Sequence, residues 1–124
     1  MRTKSSIPTE HQEQVTLIRW WRLAYPHWQN LLFAIPNGGF RHIVTARKLV
    51  AEGVIAGVAD LFLAIPIQAY HGAFVEMKRT TGGRQSESQK RFEQDVKDLG
   101  YEYILGKGWE DASAKIKKYL GDLH

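Results

Sequence analysis

Three charged residues in the middle of the chain have types and spacing that suit metal-dependent chemistry. Asp60 opens an apolar run, and Glu76 and Lys78 occupy alternating positions at the end of a second run. Because alternate side chains of a strand share a face, we expect Glu76 and Lys78 to point the same way. If the two runs pair as a hairpin, Asp60 lies beside Glu76 at one edge of a sheet. Two carboxylates and an ammonium would then form a divalent-metal site suited to cutting a phosphodiester.

The alternative interpretation of these residues is a surface hairpin with solvated charges, because short patterns of acids and lysines are common in soluble chains. The apolar context favours the metal site. Asp60 precedes the apolar residues 61–65, and Glu76 follows the apolar residues 73–75. A charge at the end of a buried strand is costly unless it is paired or binds a metal.

Composition limits the classes of protein to which the chain can belong. It has 124 residues, which is enough for one domain with one sizeable core. The sequence has no cysteine, which excludes disulfides and thiolate chemistry and fits a reducing cytoplasm. No stretch is apolar and long enough for a membrane span or a secretion signal, so we expect a cytoplasmic protein. The net charge of +4 favours an anionic partner such as nucleic acid.

Hydrophobic periodicity predicts alternating helices and strands along the chain. A first helix follows Thr9, a possible cap, and stops at Pro26, and a second helix ends at Gly53. Strands are predicted at 31–35, after Asp60, up to Lys78 and at 101–105, with helices at 86–100 and 109–120. The order is helix, strand, helix, strand, strand, helix, strand, helix. It predicts an α/β domain with a mixed sheet flanked by helices, in two or three layers.

Several residues outside the central stretch have both a structural and a functional interpretation. Glu10 is either a first-turn acid favoured by the helix dipole or a third carboxylate near the metal. Gln89 stands three residues after Ser86, the spacing of a capping box, and this explains it before any catalytic role. The glycine-rich turn before Arg41 and the basic loop at 79–85 are either phosphate contacts or plain connectors.

Over almost its whole length, the chain resembles a stand-alone VRR-NUC domain of the PD-(D/E)XK nuclease superfamily. The motifs that carry the resemblance are Glu10 and Gln14, Pro36-Asn37-Gly38-Gly39 with Arg41, Gly57-Val58-Ala59-Asp60-Leu61, Glu76-Met77-Lys78, and Gly83-Arg84 with Ser86 and Gln89. Ala59 replaces the proline that usually precedes the superfamily's aspartate, and this removes no ligand. The resemblance implies one domain over residues 1–124 with a restriction-endonuclease-like core.

The resemblance also implies a divalent-metal-dependent DNA endonuclease. Asp60 and Glu76 would hold Mg²⁺ or Mn²⁺, with the backbone carbonyl of Met77 and a direct or water-mediated contact from Glu10. Glu13 competes with Glu10 for that role. Lys78 would orient or deprotonate the attacking water, and Gln89 would support the site or touch the substrate. The residues that would contact DNA are Asn37, Arg41, Lys48, Arg79 and Arg84.

Stand-alone VRR-NUC proteins resemble structure-selective enzymes that cut four-way (Holliday) junctions as homodimers. The resemblance therefore implies branched DNA as the substrate and a second copy as a partner. Trp20, Trp28 and Phe40 are candidates for the dimer surface, although core packing explains Trp20 better. Two alternatives stay open: a nuclease that acts on flaps or duplex DNA, and a nucleic-acid-binding module that does not cut.

Overall fold

The computed structural model of the chain describes residues 6–36 and 43–121. Asn37, Phe40 and Arg41 therefore lie outside the described residues. The helices are α1 (Glu10–Ala24), α2 (Ile43–Ala51), α3 (Glu87–Asp98) and α4 (Trp109–Leu120), and the strands are β1 (Leu32–Ala34), β2 (Leu61–Leu63), β3 (Ala73–Lys78) and β4 (Glu102–Lys107). This is the predicted order. A short 3-10 helix, Pro26–Leu31, adds an element that the periodicity did not indicate.

The strands form one mixed sheet in the order β1-β2-β3-β4. β2 pairs antiparallel with both β1 and β3, whereas β3 and β4 are parallel. Leu61 stands opposite Val75, so Asp60 comes level with Glu76. The predicted hairpin pairing of the two apolar runs is thus confirmed. α3 makes the crossover that a parallel pair requires.

Two helix starts follow the predicted capping chemistry. Thr9 Oγ1 accepts a hydrogen bond from the Gln12 N–H at 3.1 Å, and Gln12 Oε1 accepts one from the Thr9 N–H at 2.9 Å. Ser86 and Gln89 form the same reciprocal pair at α3. Each capping box satisfies N–H groups that a helix start would otherwise leave unpaired. The caps fix where α1 and α3 begin, at the ends that carry Glu10 and Gln89.

The two faces of the sheet are covered differently. On one face, Val75, Met77 and Ile104 pack with α1 and α4 in the main core, which includes the buried Leu17 and Trp21. On the other face, a smaller aromatic cluster contains Phe74, Phe92, Tyr103 and Val96 and joins the sheet to α3. Glu76 and Lys78 alternate with Val75 and Met77, so they lie on the α3 face with Phe74. The charged pair is thereby separated from the main core.

Candidate active site

Glu76 is a fully buried carboxylate whose two oxygens have different surroundings. Its side chain is 0% exposed. Oε1 accepts hydrogen bonds from the Tyr103 hydroxyl and from Gln85 Nε2, the latter at 3.0 Å. Oε2 accepts no hydrogen bond from the described residues. Because an ionised carboxylate is costly to bury, an oxygen without a donor at this depth favours a bound cation.

Lys78 supplies the nearest positive charge to that oxygen. Its Nζ lies 3.5 Å from Glu76 Oε2 and donates a hydrogen bond to Gln89 Oε1 at 3.1 Å. Gly83 lies against the aliphatic stem of the lysine, where an added Cβ would come within 3.1 Å of the Lys78 Cβ. The ammonium therefore contacts β3 and α3, and the loop that joins them packs against the aliphatic stem.

Gln89 both caps α3 and contacts Lys78. Its Oε1 accepts the Ser86 N–H at 2.8 Å and the Lys78 ammonium at 3.1 Å. The cap and the contact with the lysine use the same oxygen. The start of α3 therefore positions Lys78, and the structural interpretation of Gln89 does not exclude the functional one.

Asp60 stands one residue before β2 and faces the same region. Its Oδ2 accepts the Met77 N–H at 2.7 Å. Burial raises the pKa of the Asp60 carboxyl above its usual value, and the charges of Glu10 and Glu76 raise it further, although the Met77 N–H and Lys78 oppose them. The local environment therefore disfavours the charged form of Asp60, and a nearby cation would reverse this preference.

The two acids of the first helix have different surroundings. Glu10 is exposed, but its charge acts on Asp60, which places it on the side of the candidate site. Glu13 is buried, and its Oε1 accepts the Trp109 N–H at 2.9 Å at the first turn of α4. A carboxylate there satisfies an unpaired N–H and interacts favourably with the helix dipole. Glu13 thus caps α4, whereas the charge of Glu10 raises the pKa of Asp60, so Glu10 is the better candidate for the first-helix acid.

Three residues of this network were not identified from the sequence: Tyr103, Gln85 and Glu93. Gln85 Nε2 donates to Glu93 Oε1 at 2.8 Å as well as to Glu76. Burial, and then the hydrogen bond to Glu76, raise the pKa of the Tyr103 hydroxyl, which therefore keeps its proton. The sequence did hold one signal for Tyr103, because it lies within a predicted strand. A tyrosine buried on a strand usually needs a hydrogen-bond partner for its hydroxyl.

The described basic residues that were predicted to contact DNA are exposed on the surface. Lys48 is exposed on α2, and Arg79 and Arg84 are exposed on the loop between β3 and α3. That loop also carries Gln85 and covers Lys78, so its arginines lie close in sequence to the candidate site. Trp20 and Trp28 are half-buried and pack against the main core, as the core-packing interpretation of Trp20 requires.

The described residues contain no group of three or more His, Cys, Asp or Glu side chains close enough together to hold a metal ion. Any metal at Asp60 and Glu76 would need further oxygen ligands from the backbone or from water. A cleft of 640 Å³ lies elsewhere, lined by residues that include Glu13, Thr80 and Trp109 and none of Asp60, Glu76 and Lys78.

In the described part of the chain, every helix is too short or too polar to cross a membrane.

No protein-family model matches the sequence, and no curated protein matches it. Among solved structures, a chain described as a VRR_NUC domain protein superposes on this one with a TM-score of 0.81. The two chains are 24% identical, and the match covers 93% of this chain and 90% of the other. The predicted fold, and with it the resemblance to a VRR-NUC domain at the level of the fold, is confirmed.

Proposed function

We propose that this chain, which has the fold of a VRR_NUC domain protein, is a divalent-metal-dependent DNA endonuclease whose site is formed by Asp60, Glu76 and Lys78. The observation that carries the proposal is the buried Glu76 Oε2, which has no hydrogen-bond donor among the described residues and lies 3.5 Å from the Lys78 ammonium. A fold that only needed to be stable would gain from a hydrogen bond to this oxygen or from replacing the carboxylate.

The residues present fit a hard divalent cation such as Mg²⁺ or Mn²⁺, which prefers oxygen ligands. Asp60 and Glu76 Oε2 would hold the ion, and the Met77 carbonyl would complete the protein ligands. Glu10 would act through a water, because no third acid approaches closely among the described residues. A cation here would lower the raised pKa of Asp60. It would also give Glu76 Oε2, which accepts no hydrogen bond from the described residues, a positively charged partner. When bound, the ion would lower the pKa of a water molecule and stabilise negative charge on the phosphate.

The Lys78 ammonium would orient the attacking water and offset the charge that develops on the phosphate. Its ammonium is held by Gln89 Oε1 at 3.1 Å, so it needs little reorganisation during the reaction. Preorganised charge in a site shielded from water is among the largest contributions to catalysis. Gln89 would act on the reaction by holding this ammonium in place.

The substrate we propose is DNA, with branched DNA preferred. The net charge of +4 favours a polyanion, and exposed Lys48, Arg79 and Arg84 would contact phosphates together with Asn37 and Arg41. Such contacts position a substrate without reading its sequence, which suits recognition of DNA shape. A homodimer would place two sites about a two-fold axis and allow two opposed cuts in a four-way junction.

The test is the cleavage of four labelled DNA substrates in the presence of Mg²⁺ or Mn²⁺. The substrates are a four-way junction, a flap, a linear duplex and a single strand. Wild type is compared with Glu76→Gln, and Glu87→Gln on α3, whose side chain is 84% exposed, is the control. Paired cuts in the junction alone, lost only in Glu76→Gln, would support a dimeric resolvase. Cuts in the flap or the duplex would support a nuclease whose substrate is not limited to junctions. Tight DNA binding without any cut would favour the non-catalytic module.

Replacing Glu10 and replacing Glu13 by alanine should change different properties: metal affinity for Glu10 and stability for Glu13. Because Glu13 caps α4, Glu13→Ala should lower the free energy of unfolding by about 0.5–2 kcal/mol and leave Mn²⁺ affinity unchanged. Glu10→Ala, an exposed change, should alter stability by less than about 0.5 kcal/mol and weaken Mn²⁺ binding. Urea denaturation and titration calorimetry measure the two effects. A larger loss of Mn²⁺ affinity in Glu13→Ala than in Glu10→Ala would reverse the assignment.

A further inference from the structure

We propose that Tyr103 and Gln85 are positioning residues that hold Oε1 of Glu76, so that Glu76 offers only Oε2 to a metal ion. The inference rests on the proposed function, because it concerns the same metal site. It adds two residues from separate elements, one on β4 and one on the loop between β3 and α3. Neither would touch the ion or the substrate; both would act through Glu76.

The hydrogen bonds to Glu76 divide the carboxylate into two unlike oxygens. Oε1 accepts two hydrogen bonds from uncharged donors, the Tyr103 hydroxyl and Gln85 Nε2. Oε2 accepts none from the described residues and faces Lys78 Nζ. With two donors on Oε1, the carboxylate resists rotation that would exchange its oxygens. We infer that Glu76 binds a metal through one oxygen.

Register explains why Tyr103 can reach Glu76. β3 and β4 are parallel, with Tyr103 opposite Phe74, and Glu76 is two residues further along the same face. Tyr103 is buried, and the smaller core of the α3 face fixes its ring. From this position the Tyr103 hydroxyl donates a hydrogen bond to Glu76 Oε1.

Gln85 is itself oriented by a second acid. Its Nε2 donates to Glu76 Oε1 at 3.0 Å and to Glu93 Oε1 at 2.8 Å, which uses both protons of the amide. With an acid on each side, only the NH₂ group of Gln85 satisfies both neighbours. Glu93 Oε2 in turn lies 3.3 Å from Lys97 Nζ. α3 thus fixes the amide that fixes Glu76.

Outer partners of metal-binding carboxylates commonly contribute 10- to 100-fold to metal affinity or activity, because they set the orientation of the ligand. We therefore expect Tyr103→Phe and Gln85→Met each to weaken Mn²⁺ binding by about 10- to 100-fold, as measured by titration calorimetry. Cleavage at limiting Mn²⁺ should fall in parallel and recover partly as Mn²⁺ is raised, with the KM for DNA unchanged.

Tyr101→Phe is the matched control. Tyr101 is a half-buried tyrosine that packs against Phe74, 5.5 Å between ring centroids, and it makes no hydrogen bond to Glu76. Its variant should keep wild-type Mn²⁺ affinity. Thermal denaturation in EDTA checks that each variant is folded, and Gln85→Met, at the less buried position, keeps the test open if Tyr103→Phe unfolds.

Two negative outcomes are distinguishable. Wild-type Mn²⁺ affinity in folded Tyr103→Phe and Gln85→Met, with wild-type cleavage, would overturn the positioning role and leave the proposed function standing. Absence of Mn²⁺ binding and of cleavage in the wild type would overturn both. A loss of affinity in the two variants but not in Tyr101→Phe would support the positioning role.

Discussion

Replacing Lys78 by methionine is expected to lower the rate of DNA cleavage at saturating Mn²⁺ by about 10²- to 10⁴-fold, the usual cost of losing a positioned proton-transfer or charge-stabilising group. Methionine keeps the length of the stem that lies against Gly83 and removes the ammonium. DNA affinity should change little, because the Lys78 side chain is only 8% exposed and offers little surface to distant phosphates. Single-turnover cleavage and filter binding measure the two quantities.

The same substitution has a cost in stability that must be separated from the loss of activity. Without Lys78, the buried Glu76 has no counter-ion, and breaking such a pair typically costs about 3–5 kcal/mol. The double variant Glu76→Gln/Lys78→Met removes both charges, so its free energy of unfolding in EDTA should exceed that of Lys78→Met. Its cleavage should stay lost. Because Glu76 is itself a proposed metal ligand, this variant tests stability only: a recovery would assign the instability of Lys78→Met to the unpaired charge of Glu76.

Lys90→Met provides the control for charge. Lys90 lies on α3 with its side chain 59% exposed, in an exposed ion pair with Glu87. Because exposed ion pairs contribute little, this variant should cleave and unfold like the wild type. Equal rates for Lys78→Met and wild type would contradict a catalytic role for Lys78, and equal losses in both lysine variants would indicate a general effect of charge.

Local signals in the sequence were sufficient to predict the order of the α-helices and strands and the placement of part of the candidate site. The strand period placed Glu76 and Lys78 on one face, and the apolar run after Asp60 predicted the hairpin. The Ser86–Gln89 spacing predicted the start of α3. These inferences depend on neighbours within a few residues, where period and capping chemistry act directly.

Two contacts that the sequence did not predict join residues far apart in the chain. Tyr103 lies 27 residues from Glu76, and their contact depends on the parallel register of β3 and β4, which no local pattern sets. Glu13 meets the N–H of Trp109, 96 residues away, so the sequence could not separate it from Glu10. For Tyr103 and Glu13, separation along the chain, rather than residue type, limited the inference.

The 3-10 helix was missed for a different reason. Pro26 was interpreted only as the end of the first helix, but a proline also suits the first position of a new helical turn. Here it begins Pro26–Leu31, and the Trp21 indole donates to the Trp28 carbonyl at 3.0 Å. Because that bond ties the segment back to α1, a tertiary contact stabilises a turn that periodicity alone does not predict.

Replacing Asp60 by asparagine should make the metal-free protein more stable near neutral pH. Burial, and the charges of Glu10 and Glu76, raise the pKa of Asp60, so its charged form costs free energy in the folded state. Asparagine removes the charge and still presents an oxygen to the Met77 N–H, which Asp60 Oδ2 accepts at 2.7 Å. Urea denaturation in EDTA measures the difference in the free energy of unfolding.

The pH dependence of this difference has a definite sign. A pKa raised by folding means that the folded state binds the proton more tightly than the unfolded state does. The stability contributed by Asp60 therefore falls as pH rises from the ordinary value of 3.8 through the folded pKa. The advantage of Asp60→Asn should be greatest above that window and should disappear below it. An advantage that stays constant with pH would contradict this origin.

Added metal should reverse the order of the two proteins. Mn²⁺ at about 100 times its dissociation constant stabilises a protein that binds it by about 2.7 kcal/mol. The wild type should gain this stability, whereas Asp60→Asn, which lacks one charged ligand, should gain little. Asp95→Asn, an exposed change on α3, should behave like the wild type in both conditions. If Asp60 served only the fold, its replacement would shift stability equally with EDTA and with Mn²⁺, so a change of sign between the two conditions identifies it as a metal ligand.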